Sequence, residues 1–171
     1  MSVPDAAKKL SLLMNFNDFY RDIADYPVDK IAFVGLGNPL RGDDGAGLFL
    51  FDQLRGKKEL KNAHFIKAGT NPENYLQKIL DLKARLVIFI DAASNSEKAG
   101  TISWLSKNRI DSAAISTHAF SIRMIEDYLK SEDPALNCRY LVLEPENLNL
   151  AENLSQTVLN GIYSFINPGR N

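Results

Sequence analysis

The stretch Leu86-Val87-Ile88-Phe89-Ile90-Asp91 holds the longest uninterrupted aliphatic and aromatic run in the chain and ends on a carboxylate. A strand that is apolar on both faces belongs in the middle of a parallel sheet with helices packed on each side. Outward from it, helical patterns alternate with short β-branched or aliphatic runs, as in a doubly wound sheet. Strands are expected near 30–36, 63–68, 85–91, 100–105 and 138–144, and helices near 44–55, 72–82, 118–130 and 152–166. Pro72 suits a helix's first turn and Pro134 follows a helix end. The link from Asp91 to Thr101 is short enough to turn a hairpin, which makes the strand after it a candidate antiparallel member. The expected architecture is a three-layer α/β fold of the phosphorylase/hydrolase-like kind, its mostly parallel sheet of about five strands flanked by helices.

Ahead of the first strand, Leu12, Phe16, Phe19 and Ile23 recur at four- and three-residue steps, which align on one helical face. A helix over Pro4 to Ala24, ended by Pro27, reads as a packing element over the sheet, with a partner-docking arm as the alternative. The expected organisation is an N-terminal helical extension, 1–28, and a single α/β domain, 29–171.

Composition narrows the function classes. Hydrophobic residues make up 45% of the 171 and charged ones 24%, the balance of an ordinary globular protein. A net charge of −1 offers no broad basic surface for a phosphate backbone, so nucleic acid is not an expected partner. The run from Leu86 to Ile90 is far short of the roughly 20 residues that span a bilayer. Asp5, Lys8, Lys9, Asp18, Arg21 and Asp22 break up any apolar leader, and a cytoplasmic, membrane-free, monomeric protein is expected. Cys138 is the only cysteine, which excludes an intramolecular disulfide and a thiolate zinc cluster; it reads as a buried, inert thiol.

The turn after the first strand, Gly35-Leu-Gly-Asn-Pro-Leu-Arg-Gly-Asp-Asp-Gly-Ala-Gly47, stands where dinucleotide folds keep their phosphate loop, but its spacing is wrong for one. The third glycine position is Leu40, two acids would repel a pyrophosphate, and no Gly-Lys-Ser/Thr follows. What the turn offers is Asp43 and Asp44 at a helix N-terminus, where backbone N–H groups favour negative charge. Capping by both acids competes with metal binding by one of them.

Asp91 closes the most hydrophobic strand at the carboxyl edge, with an Asx turn as its alternative role, and His118 follows Ser116 and Thr117 at a helix start. Three strand-to-helix junctions thus deliver Asp44, Asp91 and His118 to one edge of one sheet. Two carboxylates and an imidazole leave coordination positions open and suit nickel, zinc or iron better than calcium. An ion so held polarises a carbonyl or activates water, and an amide is hydrolysed without a covalent nucleophile. No Gly-x-Ser-x-Gly elbow is present. His64, at the start of the second strand, lies at the opposite end of the sheet and reads as surface.

From about residue 30 onward the chain resembles the hydrogenase maturation endopeptidases. The resemblance rests on Gly35-Leu-Gly-Asn38 with Asp43-Asp44-Gly45-Ala-Gly47, then Gly69-Thr-Asn-Pro-Glu-Asn74, Asp91-Ala92, Gly100 and Ser116-Thr117-His118. It implies removal of the C-terminal extension of a nickel-iron hydrogenase large-subunit precursor after nickel insertion. Asp44, Asp91 and His118 would be the metal-sensing and catalytic trio, the nickel would come with the substrate, and Asp43 and Glu73 would hold the ligands in place. The sequence departs from the family at Ala119-Phe120-Ser121 and at Val142-Leu143-Glu144-Pro145, loops expected to contact substrate. Two other readings use the same residues. Gly35 to Pro39 also resembles the first turn of peptidyl-tRNA hydrolases, but Arg41-Gly42-Asp43-Asp44 then replaces their histidine-bearing block. A non-cleaving nickel-binding accessory protein of hydrogenase assembly would keep the trio and lack turnover.

Overall fold

Five strands form the sheet: β1 Ile31–Leu36, β2 His64–Gly69, β3 Leu86–Ala92, β4 Ile102–Trp104 and β5 Asn137–Leu143. Their order is β2-β1-β3-β5-β4 in a computed structural model that describes residues 13–106, 119–151 and 153–169. β2, β1, β3 and β5 run parallel, and β4 pairs antiparallel to β5. Every residue of β1 and β3 is buried, as the apolar run of β3 implied for that strand.

β4 is antiparallel, as expected from the short link before it, but it makes no hairpin with β3. β5 occupies the place beside β3, paired from Leu86↔Asn137 to Ala92↔Leu143, and β4 lies outside it over Ile102 to Trp104. The long apolar β5 satisfies the backbone groups of the whole central strand, which three residues of β4 would leave largely unpaired.

Side-chain alternation along the strands sends residues to two cores. On one side Phe33, Ile88 and Leu141 meet three helices: α1 Phe16–Asp22, α2 Ala46–Arg55 and α5 Gln156–Ile166. On the other, Val34, Phe89 and Tyr140 meet α3 Leu76–Asp81 and α4 Ala119–Glu132. The arrangement is the expected three-layer α/β fold.

α1 starts at Asn15, whose side chain accepts from the N–H groups of Asn17 and Asp18 while Asp18 accepts from Asn15 N–H. That reciprocal cap fixes where the helix begins. Phe16, Phe19 and Ile23 are 4%, 0% and 1% exposed and belong to the main core, so this segment is a packing element. Residues 1–12, Leu12 among them, lie outside the described residues. Trp104 fastens the helix from the sheet side: its ring stacks on Phe19 at 5.4 Å, and its Nε1 donates to Asp22 at 2.9 Å. The Arg139 guanidinium sits 3.7 Å over the same ring.

Two expected helices begin as 3-10 turns, Gly42–Gly45 before α2 and Pro72–Tyr75 before α3. The last helix starts at Gln156 rather than near 152, because Ser155 caps it by accepting from Val158 N–H. Cys138 is buried, as expected. His64 begins β2 half-buried, its Nε2 3.1 Å from the Asp29 carbonyl.

Candidate active site at the carboxyl edge of the sheet

β1, β3 and β5 all point their carboxyl ends at one edge, where open α/β sheets keep their ligands. Asp91 lies inside β3, in register with Val142, and is 3% exposed. It is therefore a strand residue and not the start of an Asx turn. Asp44 is also 3% exposed; its Oδ2 accepts the Asn38 N–H at 3.1 Å, and its carbonyl accepts the same N–H at 3.2 Å.

Gly47 is what lets the start of α2 approach the Asp91 backbone. A Cβ there would stand 2.6 Å from the Leu36 carbonyl oxygen, 2.9 Å from Asp91 Cα and 3.0 Å from the Ile90 carbonyl oxygen. The first turn of α2 consequently lies directly on the ends of β1 and β3, and the Gly42–Gly45 turn packs against β3. Gly37 serves the same turn: its φ is +139°, and a Cβ would meet the Asp44 carbonyl at 2.2 Å.

Neither acid caps α2, whose first turn has no side-chain cap. Asp43, 0% exposed, is committed elsewhere. Its Oδ2 accepts from the N–H of Glu146 at 2.9 Å, the N–H of Asn147 at 2.8 Å and the hydroxyl of Ser155 at 2.9 Å, and its Oδ1 accepts from Ser155 N–H at 2.7 Å. One carboxylate thus ties the turn after β1 to the loop between β5 and α5. A charge fully out of water needs such a set of donors.

Glu144, at the end of β5, does the same for the loop after β3. It accepts from Ser94 Oγ at 3.0 Å and from the N–H groups of Asn95 at 2.5 Å and Glu97 at 3.2 Å. Its neighbour in that loop, Gly100, has φ +83° and touches α5 so closely that a Cβ would lie 2.7 Å from the Thr157 carbonyl. The bracing role of Glu144 was missed from sequence, although its signal was the one that singled out Asp91: an acid ending an apolar strand at the same edge. Glu73, the other expected helper, is exposed on the Pro72–Tyr75 turn and accepts from Asn71 Nδ2 at 3.3 Å.

His118, with Ser116 and Thr117, lies outside the described residues, and α4 begins at the next residue, Ala119. Among the described residues no group of three His, Cys, Asp or Glu side chains gathers as metal ligands. Asp44 and Asp91 are each buried at the carboxyl edge of the sheet.

A family model described as hydrogenase maturation protease matches residues 50–167, a stretch that contains positions 91 and 118 and begins after Asp44. A Methanocaldococcus jannaschii protein named as a hydrogenase maturation protease is 30% identical over 108 residues, covering 59% of this chain and 64% of the relative. A second from the same organism is 35% identical over 72 residues, covering 42% of this chain and 47% of the relative. The chain therefore spans less than two thirds of either curated relative. The solved [NiFe] hydrogenase maturation protease HycI of Thermococcus kodakarensis superposes with a TM-score of 0.69 at 25% identity, over 81% of this chain and 88% of that one. The Escherichia coli hydrogenase maturating endopeptidase HybD shares the fold at a TM-score of 0.66 and 20% identity, over 80% of this chain and 87% of that one. Since the matched stretch runs from α2 through α5 and holds four of the five strands, the chain belongs to the hydrogenase maturation protease family.

Proposed function

We propose that this chain is an endopeptidase that removes the C-terminal extension of a nickel-iron hydrogenase large-subunit precursor once nickel has been inserted. The observations that support the reading are the burial of Asp44 and of Asp91 at the carboxyl edge of the sheet and the family to which the chain belongs. Asp44, Asp91 and His118 form the metal-sensing and catalytic trio, and the nickel belongs to the substrate. Carboxylate oxygens and an imidazole nitrogen suit that ion. With the precursor's nickel seated on these side chains, the scissile bond lies beside the carboxylates, and cleavage waits on metal insertion. The enzyme works as a cytoplasmic monomer, its N-terminal helical extension serving only to cover the sheet. Among the described residues no helix is long and apolar enough to cross a membrane.

The test is incubation with a nickel-loaded large-subunit precursor, followed by mass measurement of the large subunit. The native chain removes the tail, and Asp91→Asn loses at least a hundredfold in rate, the scale of losing an electrostatic group from a preorganised site. Equal processing by the variant, or tight binding without cleavage by the native chain, overturns the proteolytic reading.

A further inference from the structure

The chain that continues from Asp91 leaves the sheet after Ala92 and returns to it as β4 at Ile102. One residue holds that loop along its length. Glu144, the residue after β5 and only 8% exposed, accepts from Ser94 Oγ at 3.0 Å on Oε1 and from the N–H groups of Asn95 and Glu97, at 2.5 and 3.2 Å, on Oε2. Its main chain closes the far end: the Glu144 carbonyl accepts Gly100 N–H at 2.8 Å, and Glu144 N–H donates to the Thr101 carbonyl at 2.9 Å. Asn95, itself buried, donates from Nδ2 to Ser103 Oγ on β4 at 3.0 Å.

The two N–H groups that share Oε2 flank Ser96, whose φ is +58°. A residue other than glycine is strained in this left-handed region, and such residues gather at functional sites, where the surroundings over-determine the backbone. Here the surroundings are one buried carboxylate set against a concave pair of backbone donors, an arrangement that fixes an anion. A plain connection between two strands needs no such hold, since glycine takes a positive φ without strain, as Gly100 does at +83° in the same loop. The held segment turns Ser94, Ser96, Glu97 and Lys98 to solvent. Ser96 stands five residues beyond Asp91, no more than roughly 18 Å from it, and an extended peptide lying on Asp91 covers that distance with about five residues of its own.

We propose that Glu144 is a positioning residue for the cleavage, holding Ser94 to Lys98 in the shape that receives the precursor beside Asp91. The inference rests on the proposed proteolytic reading. Glu144 acts through the loop and does not touch the scissile bond.

The role requires hydrogen-bond acceptance and not charge. A glutamine at 144 retains an oxygen for the N–H groups of Asn95 and Glu97 and can donate its amide to Ser94 Oγ, whereas an alanine leaves both N–H groups without this partner. Cleavage of the nickel-loaded large-subunit precursor is followed over a range of precursor concentrations for the native chain, Glu144→Ala and Glu144→Gln. Glu144→Ala raises KM at least fivefold, and Glu144→Gln stays within twofold of the native value. Loss of folded molecules alone lowers the apparent kcat and leaves KM where it was. A native KM in Glu144→Ala therefore reduces Glu144 to a structural brace and overturns the inference, as does a KM in Glu144→Gln raised as far as in Glu144→Ala. Should Glu144→Ala fail to fold, Ser96→Val, at an exposed position whose φ a β-branched side chain opposes, carries the comparison with an expected threefold rise in KM; an unchanged KM there overturns the inference equally. If the native chain binds the precursor and never cuts it, the proteolytic reading fails, and Kd values of the same proteins, compared in place of KM, decide the role of Glu144.

Discussion

Gly47 has no room for a side chain, since the Leu36 carbonyl and the Asp91 backbone pass where one would stand. All the atoms in the way belong to main chain, so an added methyl group cannot be accommodated by a rotamer change. Gly47→Ala is expected to cost about 1–3 kcal/mol, the scale of overpacking a tight interior, despite the gain in helix propensity that alanine brings. Urea titration reads that loss directly. The same shift moves the Gly42–Gly45 turn off the end of β3, and precursor cleavage should fall further than the lost stability explains. A stabilised variant with native cleavage would show that the close approach does not set the site. Asp43 and Asp44 show why residue type alone did not assign their roles. Both are buried acids in one turn, yet Asp43 meets donors from Glu146, Asn147 and Ser155, and such partners a hundred residues away leave no trace in local spacing.

At the scale of elements, α4 and β5 are joined by a polar pair set into an apolar interface. Tyr140 on β5 donates its hydroxyl to Glu126 on α4, which also pairs with Lys130 one turn on. Burial, reinforced by the hydrogen bond to Glu126 and by its charge, pushes the phenol of Tyr140 well above its ordinary value. The folded protein therefore keeps a proton that the unfolded chain gives up near pH 10, so this contribution is intact below that pH and is lost as pH rises above it. Denaturation midpoints measured from pH 8 to 11 should fall more steeply for the native chain than for Tyr140→Phe, by up to about 1.4 kcal/mol per pH unit for the one proton involved. Parallel pH profiles would mean that the hydroxyl stays solvated. The strands themselves were legible because a parallel strand with helices on both faces must be apolar throughout, as Leu86 to Ile90 is. Their order was less so. That β5 and not β4 lies against β3 depends on which segment pairs the full length of the central strand, a competition between pieces distant in sequence. The 3-10 turns before α2 and α3 were hidden for a different reason: each runs straight into its helix at the next residue, so no intervening loop marks the change.

For the whole molecule, the question is whether the segment before β1 behaves as an appendage or as part of the folding unit. Its apolar spacing at Phe16, Phe19 and Ile23 was readable and suggested packing on the sheet; the particular surface was not, because it is assembled from β1, α5 and the short edge strand β4. Phe19 touches Phe33, Trp104 and Phe165 with ring centroids 6.3, 5.4 and 5.9 Å away, and Lys57 at the end of α2 lies 4.5 Å over the Phe16 ring. A fully buried aromatic with partners on three elements links their stability, and elements that share one core unfold together. Trp104, the only tryptophan in the chain, stands at that junction and so reports on the docking of α1 specifically. Its fluorescence and the far-ultraviolet circular dichroism of the whole chain should therefore follow one denaturation curve with a common midpoint. Phe19→Ala should shift both curves together by about 3–5 kcal/mol, the cost of emptying a large buried site. A fluorescence transition that precedes the loss of helix and sheet, in either protein, would make α1 a separately docking arm and remove it from the folding unit.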